Sequence, residues 1–404
     1  MNPIALARLH TVLQTHVDQG LLPGAVALVY HRGRTVLHEA VGNRCPNIPT
    51  AAIDAIDATG AATADTAATP APSIAPMALD TVFRIYSMTK PVASLVALML
   101  MEEGRLLLSQ PVSHYLPAFA GQKVLDPATG TVTPAPREAT VYDLLRHTAG
   151  LSYAWDAGPV PDAYRAARIG SRRHSNAQLA AALGPLPLVH PPGSCWEYSR
   201  ATDVLGAVLE VIEGEPLGTI LQRRVFAPLG MHDTGFFVPG HSQHRVAEPF
   251  AQDPQTGLAV ALTDVTAPPL FESAGGGLVS TAADYARFLQ LMLGRGTTQG
   301  ADGPVRLLSR ATVDFMTSDH LGALPVAGDI LPTGYGFGLG VAVRKATGQA
   351  TCTGSAGHYS WSGMGGTFFF VDPAEDLFAI LLTQAPGQLR YLCELYPSLV
   401  YAAL

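Results

Sequence analysis

Along the chain, apolar and polar positions alternate in a way that places strands near both ends and helices between them. Residues 4–18 carry Ile4, Leu6, Leu9, Val12, Leu13 and Val17, the spacing of one helical face. Residues 24–30 and 34–41 are strand-like runs joined by His31-Arg32-Gly33, which predicts a β-hairpin. In the middle, Thr140 is placed to cap a helix over 141–147, and residues 202–214 are apolar at 205, 208, 209 and 212. Residues 281–294 form another amphipathic segment. The last part is strand-rich: 335–343, 366–371 and 377–383, with a turn over Asp372-Pro373-Ala374-Glu375-Asp376 and a final helix over 389–402. This arrangement predicts an α+β fold, with one antiparallel sheet formed from both chain termini and flanked by helices, plus a mainly helical inserted domain. The expected division is 1–90 with 270–404 for the sheet-bearing domain and 91–269 for the helical one.

Composition changes this picture in three places. Residues 50–73 hold ten Ala and five Thr in 24 positions, with no aromatic, Lys or Arg. Such a stretch buries too little apolar surface to order itself, so it is expected to be a flexible insertion. The longest apolar run, 91–101, is interrupted by a single Ser and is about half the roughly 20 residues of a membrane span. It is expected to be a buried core helix. Over the 404 residues, 48% are hydrophobic and 14% charged, which argues against a disordered chain. The net charge of −7 leaves no basic footprint for nucleic acid, and no Lys/Arg run favours a membrane surface. Cys45, Cys195, Cys352 and Cys393 are far apart and form no CxxC pair, so free thiols in a reducing compartment are expected. The N-terminal stretch reads as a short amphipathic helix rather than a signal peptide, and the cytoplasm is the expected location.

The candidate chemistry centres on Ser87-Met88-Thr89-Lys90 at the start of the apolar helix. S-x-x-K there puts a hydroxyl and an amine on one helix face, one turn apart. A partly desolvated Lys can take the Ser proton. Lys is scarce, at positions 90, 123 and 345 only, and chance would place a Ser three residues before one of them roughly 0.14 times. Only Ser152 and Ser242 have Gly two residues before them, and neither has Gly two residues after. No G-x-S-x-G elbow exists, which argues against a Ser-His-Asp α/β-hydrolase. Ser152 reads as a turn residue. His241 and His244 sit in a polar loop beside Pro239-Gly240, and there is no H-E-x-x-H, so no metal is implied. Gly275-Gly276-Gly277 follows no clear strand and reads as a tight turn near the cleft rather than a dinucleotide fingerprint. No cofactor is implied.

Phe83-Arg84-Ile85-Tyr86-Ser87-Met88-Thr89-Lys90-Pro91 resembles the nucleophile region of the serine β-lactamase and penicillin-binding-protein superfamily. It is most similar to the class C-like branch that includes the family VIII carboxylesterases. Four further segments resemble that branch's landmarks in order: Leu144-Leu145-Arg146-His147-Thr148-Ala149-Gly150-Leu151, Trp196-Glu197-Tyr198-Ser199 followed by Asp203-Val204-Leu205-Gly206, Gly336-Phe337-Gly338-Leu339-Gly340, and Trp361-Ser362-Gly363 through Gly366-Thr367. The Ala/Thr-rich stretch has no counterpart in the family pattern.

The resemblance implies a catalytic set of Ser87, Lys90 and Tyr198. A phenol beside an ammonium has its anion favoured, so Tyr198 is expected to serve as a base; with Trp196 it also fits an ordinary core aromatic. The family pattern often has Asn two residues after this Tyr, where this chain has Arg200. β-Lactamases carry Lys-Thr-Gly where this chain has Trp361-Ser362-Gly363, so an anionic substrate loses an anchor and an apolar wall favours neutral groups. The backbone N–H groups of Ser87 and Met364 are the implied oxyanion hole. Trp361, Ser362, Gly363, His358 and Tyr153 are the expected pocket residues.

The resulting expectation is a serine hydrolase cleaving carboxylic esters of short to medium acyl chains through an acyl-enzyme on Ser87. Its partner is a small-molecule ester, with no nucleic acid and no membrane; the oligomeric state is left open. The same Ser-Lys-Tyr set also suits a β-lactamase, a D-amino-acid peptidase, a short amide hydrolase or an acyltransferase. A rival of another class is a sensor that is acylated once and stays acylated.

Overall fold

The computed structural model describes residues 1–45, 75–300 and 302–404. The Ala/Thr-rich stretch 50–73 lies outside the described residues. Among the described residues, no helix is long and apolar enough to cross a membrane.

The first helix, α1 (Pro3–Asp18), starts where the Asn2 side chain accepts the Ile4 N–H with Pro3 at the first helical position. The hairpin follows as β1 (Gly24–His31) and β2 (Arg34–Cys45), with β3 (Ala75–Pro76) paired to β2. The C-terminal part supplies β4 (Tyr335–Phe337), β5 (Ala342–Arg344), β6 (Tyr359–Gly363), β7 (Thr367–Asp372) and β8 (Leu377–Thr383). These form one antiparallel sheet in the order β4-β5-β6-β7-β8-β1-β2-β3, closed across the chain ends by pairs such as Val26 with Leu382. The sheet is therefore built from both ends of the described chain, as the pattern predicted.

Both faces of this sheet are buried, and the period of two decides what each side chain meets. Val26, Leu28, Trp361, Phe369, Val371, Phe378, Ile380 and Leu382 join the main core. Ala25, Ala27, Val29, Phe368, Phe370, Ala379 and Leu381 pack instead beneath α1 and the last helix, whose Leu392, Tyr396 and Val400 complete that layer. Burial on both sides explains why Leu377-Phe378-Ala379-Ile380-Leu381-Leu382 is apolar throughout rather than alternating.

Among the helices that lie between the two groups of strands or follow them are α2 (Thr89–Glu102), α3 (Val141–Leu145), α4 (Ala201–Glu213), α5 (Ala282–Leu293) and α6 (Leu389–Tyr401). In α2, every residue from Thr89 to Leu98 is buried, so this helix is apolar all round because it is surrounded by protein. Its first turn thus opens inside the molecule rather than at its surface.

Two local expectations change. The run 335–343 is not one strand but the short hairpin β4–β5, turned by residues 338–341, with Gly338 N–H bonded to the Val341 carbonyl at 2.8 Å. Gly340 has φ +99°, which a side chain rarely adopts. The helix capped by Thr140 ends at Leu145, two residues early, because His147 takes φ +57° and the Thr148 N–H returns to the Asp143 carbonyl.

At the end of β6, Gly363 passes directly under the backbone that leads to Ser87. A Cβ on Gly363 would lie 2.3 Å from the Ile85 carbonyl oxygen. That is a backbone contact with no flexible neighbour to yield. Gly363→Ala should therefore destabilise the protein by about 1–3 kcal/mol, the usual range for overpacking. Gly348, which has open space around its Cβ position, is the control. Urea midpoints measured for both alanine variants check this, and equal midpoints would show that the close approach is unimportant.

Candidate active site

Ser87 sits in a short 3-10 turn, Tyr86–Met88, that runs directly into α2. Tyr86 has φ +44°, a strained conformation for a residue with a bulky side chain. Tertiary bonds hold it there. Thr89 Oγ1 donates to the Tyr86 carbonyl at 2.6 Å and accepts the Leu278 N–H, while the Tyr285 hydroxyl donates to the Met88 carbonyl at 2.9 Å. The Tyr86 phenol oxygen accepts the Thr263 N–H. The turn's geometry is thus set by the residues around it, not by its own propensity.

Lys90, one turn later, is completely buried. Its Nζ donates to Ser87 Oγ at 3.1 Å, to Tyr153 Oη at 3.1 Å and to the Gly275 carbonyl at 2.7 Å. Burial lowers its pKa from the ordinary Lys value to about 7; Asp203 opposes this and Arg200 adds to it. Near neutral pH a substantial fraction of this amine carries a lone pair. With two N–H bonds committed to Tyr153 and Gly275, the lone pair faces the Ser87 hydroxyl.

Tyr198 is buried beside them. Trp361 Nε1 donates to its phenol oxygen at 3.3 Å, and Lys90 Nζ lies 4.4 Å from the centre of its ring. The amine therefore sits over the ring face rather than against the oxygen. Burial pushes the Tyr198 phenol well up, with the neighbouring Ser87 hydroxyl and Trp361 N–H acting in the opposite direction. The resting pair at neutral pH is thus a depressed amine and a protonated phenol. This reverses the expectation that the ammonium would favour a phenolate, because desolvation outweighs the pairing.

His147 fixes the Tyr198 segment. Its Nδ1 accepts the Ser199 N–H at 3.2 Å, its carbonyl accepts the Glu197 N–H at 2.9 Å, and its ring lies 4.9 Å from that of Tyr198. Burial, followed by the Lys90 charge, holds His147 well below the usual histidine range, so it stays neutral and keeps Nδ1 as an acceptor. The left-handed φ that ends α3 early thus aims this ring at residues 197–199.

The Gly275-Gly276-Gly277 segment is a turn lining the cleft, as expected, and it carries a function no spacing displayed. Asp203 Oδ1 accepts the Gly275 N–H at 2.9 Å and the Ser273 hydroxyl at 2.6 Å, which presents the Gly275 carbonyl to Lys90. A Cβ on Gly275 would meet the Asp203 carboxylate at 2.9 Å. Asp203 also pairs with Arg200 at 2.9 Å, and the Arg200 guanidinium lies 5.1 Å from the centre of the Tyr153 ring. Asp203 and Gly275 were not singled out from the sequence as partners of Lys90; the run of three glycines was the available signal.

A cleft of about 180 Å³ opens over Ser87, lined by Tyr86, Tyr153, Arg200, Phe236, Phe271 and Met364 among others. Tyr153 lines it and also bonds Lys90. Met364 stands at the rim, half exposed. Trp361 is placed on the site face of β6 against Tyr198, 5.3 Å between ring centres. Gly363 contributes backbone only, as its contact with Ile85 requires.

His358 and Ser362 are not brought to the cleft. Both fall on the opposite parity of β6 from Trp361, so they face α6. His358 stacks on Phe370 at 5.0 Å, and its Nδ1 meets the Tyr401 hydroxyl at 2.9 Å. Ser362 lies next to Cys393 on α6. Ser152 is fully buried, its hydroxyl donating to Asp156 at 3.0 Å, in keeping with a turn residue.

The Beta-lactamase family pattern matches residues 9–403. The chain is 38% identical over 381 residues to Protein Rv1367c of Mycobacterium tuberculosis, covering 91% of this chain and 87% of that protein. It is 32% identical over 328 residues to Esterase EstB of Burkholderia gladioli, covering 76% and 78% of the two chains. Among solved structures it resembles EstCE1, described as a hydrolase with promiscuous acyltransferase activity, at 27% identity and a TM-score of 0.76, covering 99% of this chain and 98% of that one. An S-x-x-K turn buried under a two-faced antiparallel sheet, and these matches along nearly the whole chain, lead to one conclusion: the chain belongs to the Beta-lactamase family and has the fold of its serine hydrolases.

Proposed function

We propose that this protein is a carboxylesterase that cleaves esters of short to medium acyl chains through an acyl-enzyme on Ser87. The observation that carries this reading is the completely buried Lys90 amine, 3.1 Å from Ser87 Oγ, with Trp361 rather than a Lys packed behind Tyr198.

The neutral Lys90 amine takes the Ser87 proton as Oγ attacks the ester carbonyl carbon. The developing oxyanion is received by the Ser87 and Met364 backbone N–H groups. Tyr198, held protonated, gives its proton to the departing alkoxide, and the Lys90 ammonium returns a proton to the phenolate by way of the Tyr153 hydroxyl that it bonds. The alcohol leaves, Ser87 is acylated, and both side chains are back in their resting state. Water then attacks the acyl carbon. Lys90 and Tyr198 pass its proton to Ser87 Oγ as the acyl–oxygen bond breaks and the acid departs. An alcohol in place of that water would give acyl transfer, and the likeness to EstCE1 supports this as a side activity of the same site.

Three outcomes follow from this assignment. A fluorophosphonate or other slow acylating probe should modify Ser87, as read by peptide mass spectrometry. Ser87→Ala should be inert, and Tyr198→Phe should lose roughly 10²–10⁴-fold in kcat, the usual range for a proton-transfer group. An adduct at Ser152, or a Tyr198→Phe variant with normal kcat, would sink the assignment.

The pH dependence has a definite sign. Lys90 must be neutral to act, and its pKa is lowered to about 7. Acidification protonates it, so kcat/KM should fall about tenfold per pH unit below this value and level off above it. A profile that is flat from about pH 5.5 to 8.5 would place the base elsewhere.

Short p-nitrophenyl esters should be hydrolysed better than nitrocefin by about 10–100-fold in kcat/KM, the value of a missing charge-assisted hydrogen bond to a substrate carboxylate. Comparable values on the two substrates would overturn the ester reading in favour of β-lactam hydrolysis.

A further inference from the structure

A second cavity of about 560 Å³ lies beside the 180 Å³ cleft that holds Ser87. Its apolar lining comes from Val82, Phe226, Phe237, Val238 and Pro239, and Thr219 is among its polar lining residues. Among the described residues, one side chain lines both spaces: Phe236.

The partition has two parts. One is backbone. Phe271 and Ser273 face the Ser87 cleft while Glu272, between them, faces the second cavity, where its carboxylate accepts the Gly218 N–H at 2.7 Å. The other part is the Phe236 ring. It is 5% exposed and rests against Gly277, where a Cβ would stand 2.8 Å from Phe236 Cδ1. Gly235 exchanges backbone hydrogen bonds with Val279, at 3.2 and 2.8 Å, and Val279 in turn pairs with Arg84. The ring is therefore held in a fixed position relative to Ser87 by a short ladder.

Position along the substrate follows from the proposed mechanism. Tyr198 protonates the leaving alkoxide, so the alcohol lies on the side of Tyr198 and Tyr153, whose rings are 5.4 Å apart. The acyl chain extends the other way, past Gly276 and Gly277, and ends at Phe236.

We propose that Phe236 sets the acyl-chain limit of this protein: its ring closes the Ser87 cleft off from the second cavity, so short acyl groups fit and longer ones are excluded. Removing the ring joins the two spaces and gives a longer chain an apolar channel between Phe226, Phe237 and Val238. This inference rests on the ester reading above and adds to it the residue that selects the acyl group.

The test measures kcat/KM on p-nitrophenyl acetate, butyrate, hexanoate and decanoate for the full-length protein and three variants. Phe236→Ala should raise the decanoate-to-acetate ratio at least about tenfold, since a few methylenes in an apolar pocket discriminate by that much or more. Phe236→Leu, which leaves a smaller hole and less risk to folding, should raise the ratio by a smaller factor. Adding Thr219→Trp to Phe236→Ala narrows the second cavity and should bring the ratio part of the way back towards wild type. A folded Phe236→Ala or Phe236→Leu protein with the wild-type ratio overturns the proposal, and so does a gain that Thr219→Trp leaves undiminished. No turnover of any ester by the wild-type protein would instead overturn the ester reading, and this inference with it.

Discussion

Burying one amine organises this molecule. Lys90 lies on a helix that is enclosed along its first ten residues, and a lysine with no water must find partners for its polar head. It finds them on three other parts of the chain: the Ser87 turn, Tyr153 after α3, and Gly275 ahead of α5. Each partner carries its own constraint. The Ser87 turn requires a left-handed Tyr86, secured by Thr89 and Tyr285. The Gly275 carbonyl requires an absent side chain and the Asp203 carboxylate behind it. Local strain of this kind, costing on the order of 1–3 kcal/mol, persists only where the surroundings over-determine it.

Much of the frame was legible because its signals are periodic or rare. Residues 377–382 are apolar at consecutive positions, and only a strand covered on both faces is built that way. The S-x-x-K match stood out because Lys occurs three times in the chain. What a sequence cannot display is which parity of a strand faces a site. Trp361, Ser362 and His358 were grouped by proximity along the chain, yet the period of two sends Trp361 to Tyr198 and the other two to α6. Contacts between distant segments were equally invisible: nothing in residues 197–203 announces that Asp203 would support a carbonyl 72 positions away.

The relation between Lys90 and Tyr198 is hidden in the sequence for a related reason. Pairing an ammonium with a phenol favours both charged forms when they meet oxygen to nitrogen in water. Here the amine lies over the ring and both groups are dry, so each is driven to its neutral form. The neutral pair is also the useful one. A free amine can accept a proton from Ser87, and an intact phenol can give one to a departing alkoxide.

Arg200 completes the electrostatic arrangement. It stands where the family often has Asn, and a bare guanidinium next to the site would have drawn anionic substrates. Its charge is instead taken up by Asp203 at 2.9 Å and spread over the Tyr153 ring. Seen from Lys90, the two charges act in opposite senses: Asp203 raises the amine's pKa and Arg200 lowers it. A close pair of this kind has a small net field at the amine, which leaves desolvation as the deciding influence. Charge balance around Lys90 is thus accompanied by a neutral Trp361 behind Tyr198. The Arg200 charge is already paired, and the base is tuned by burial, which does not depend on the substrate's charge.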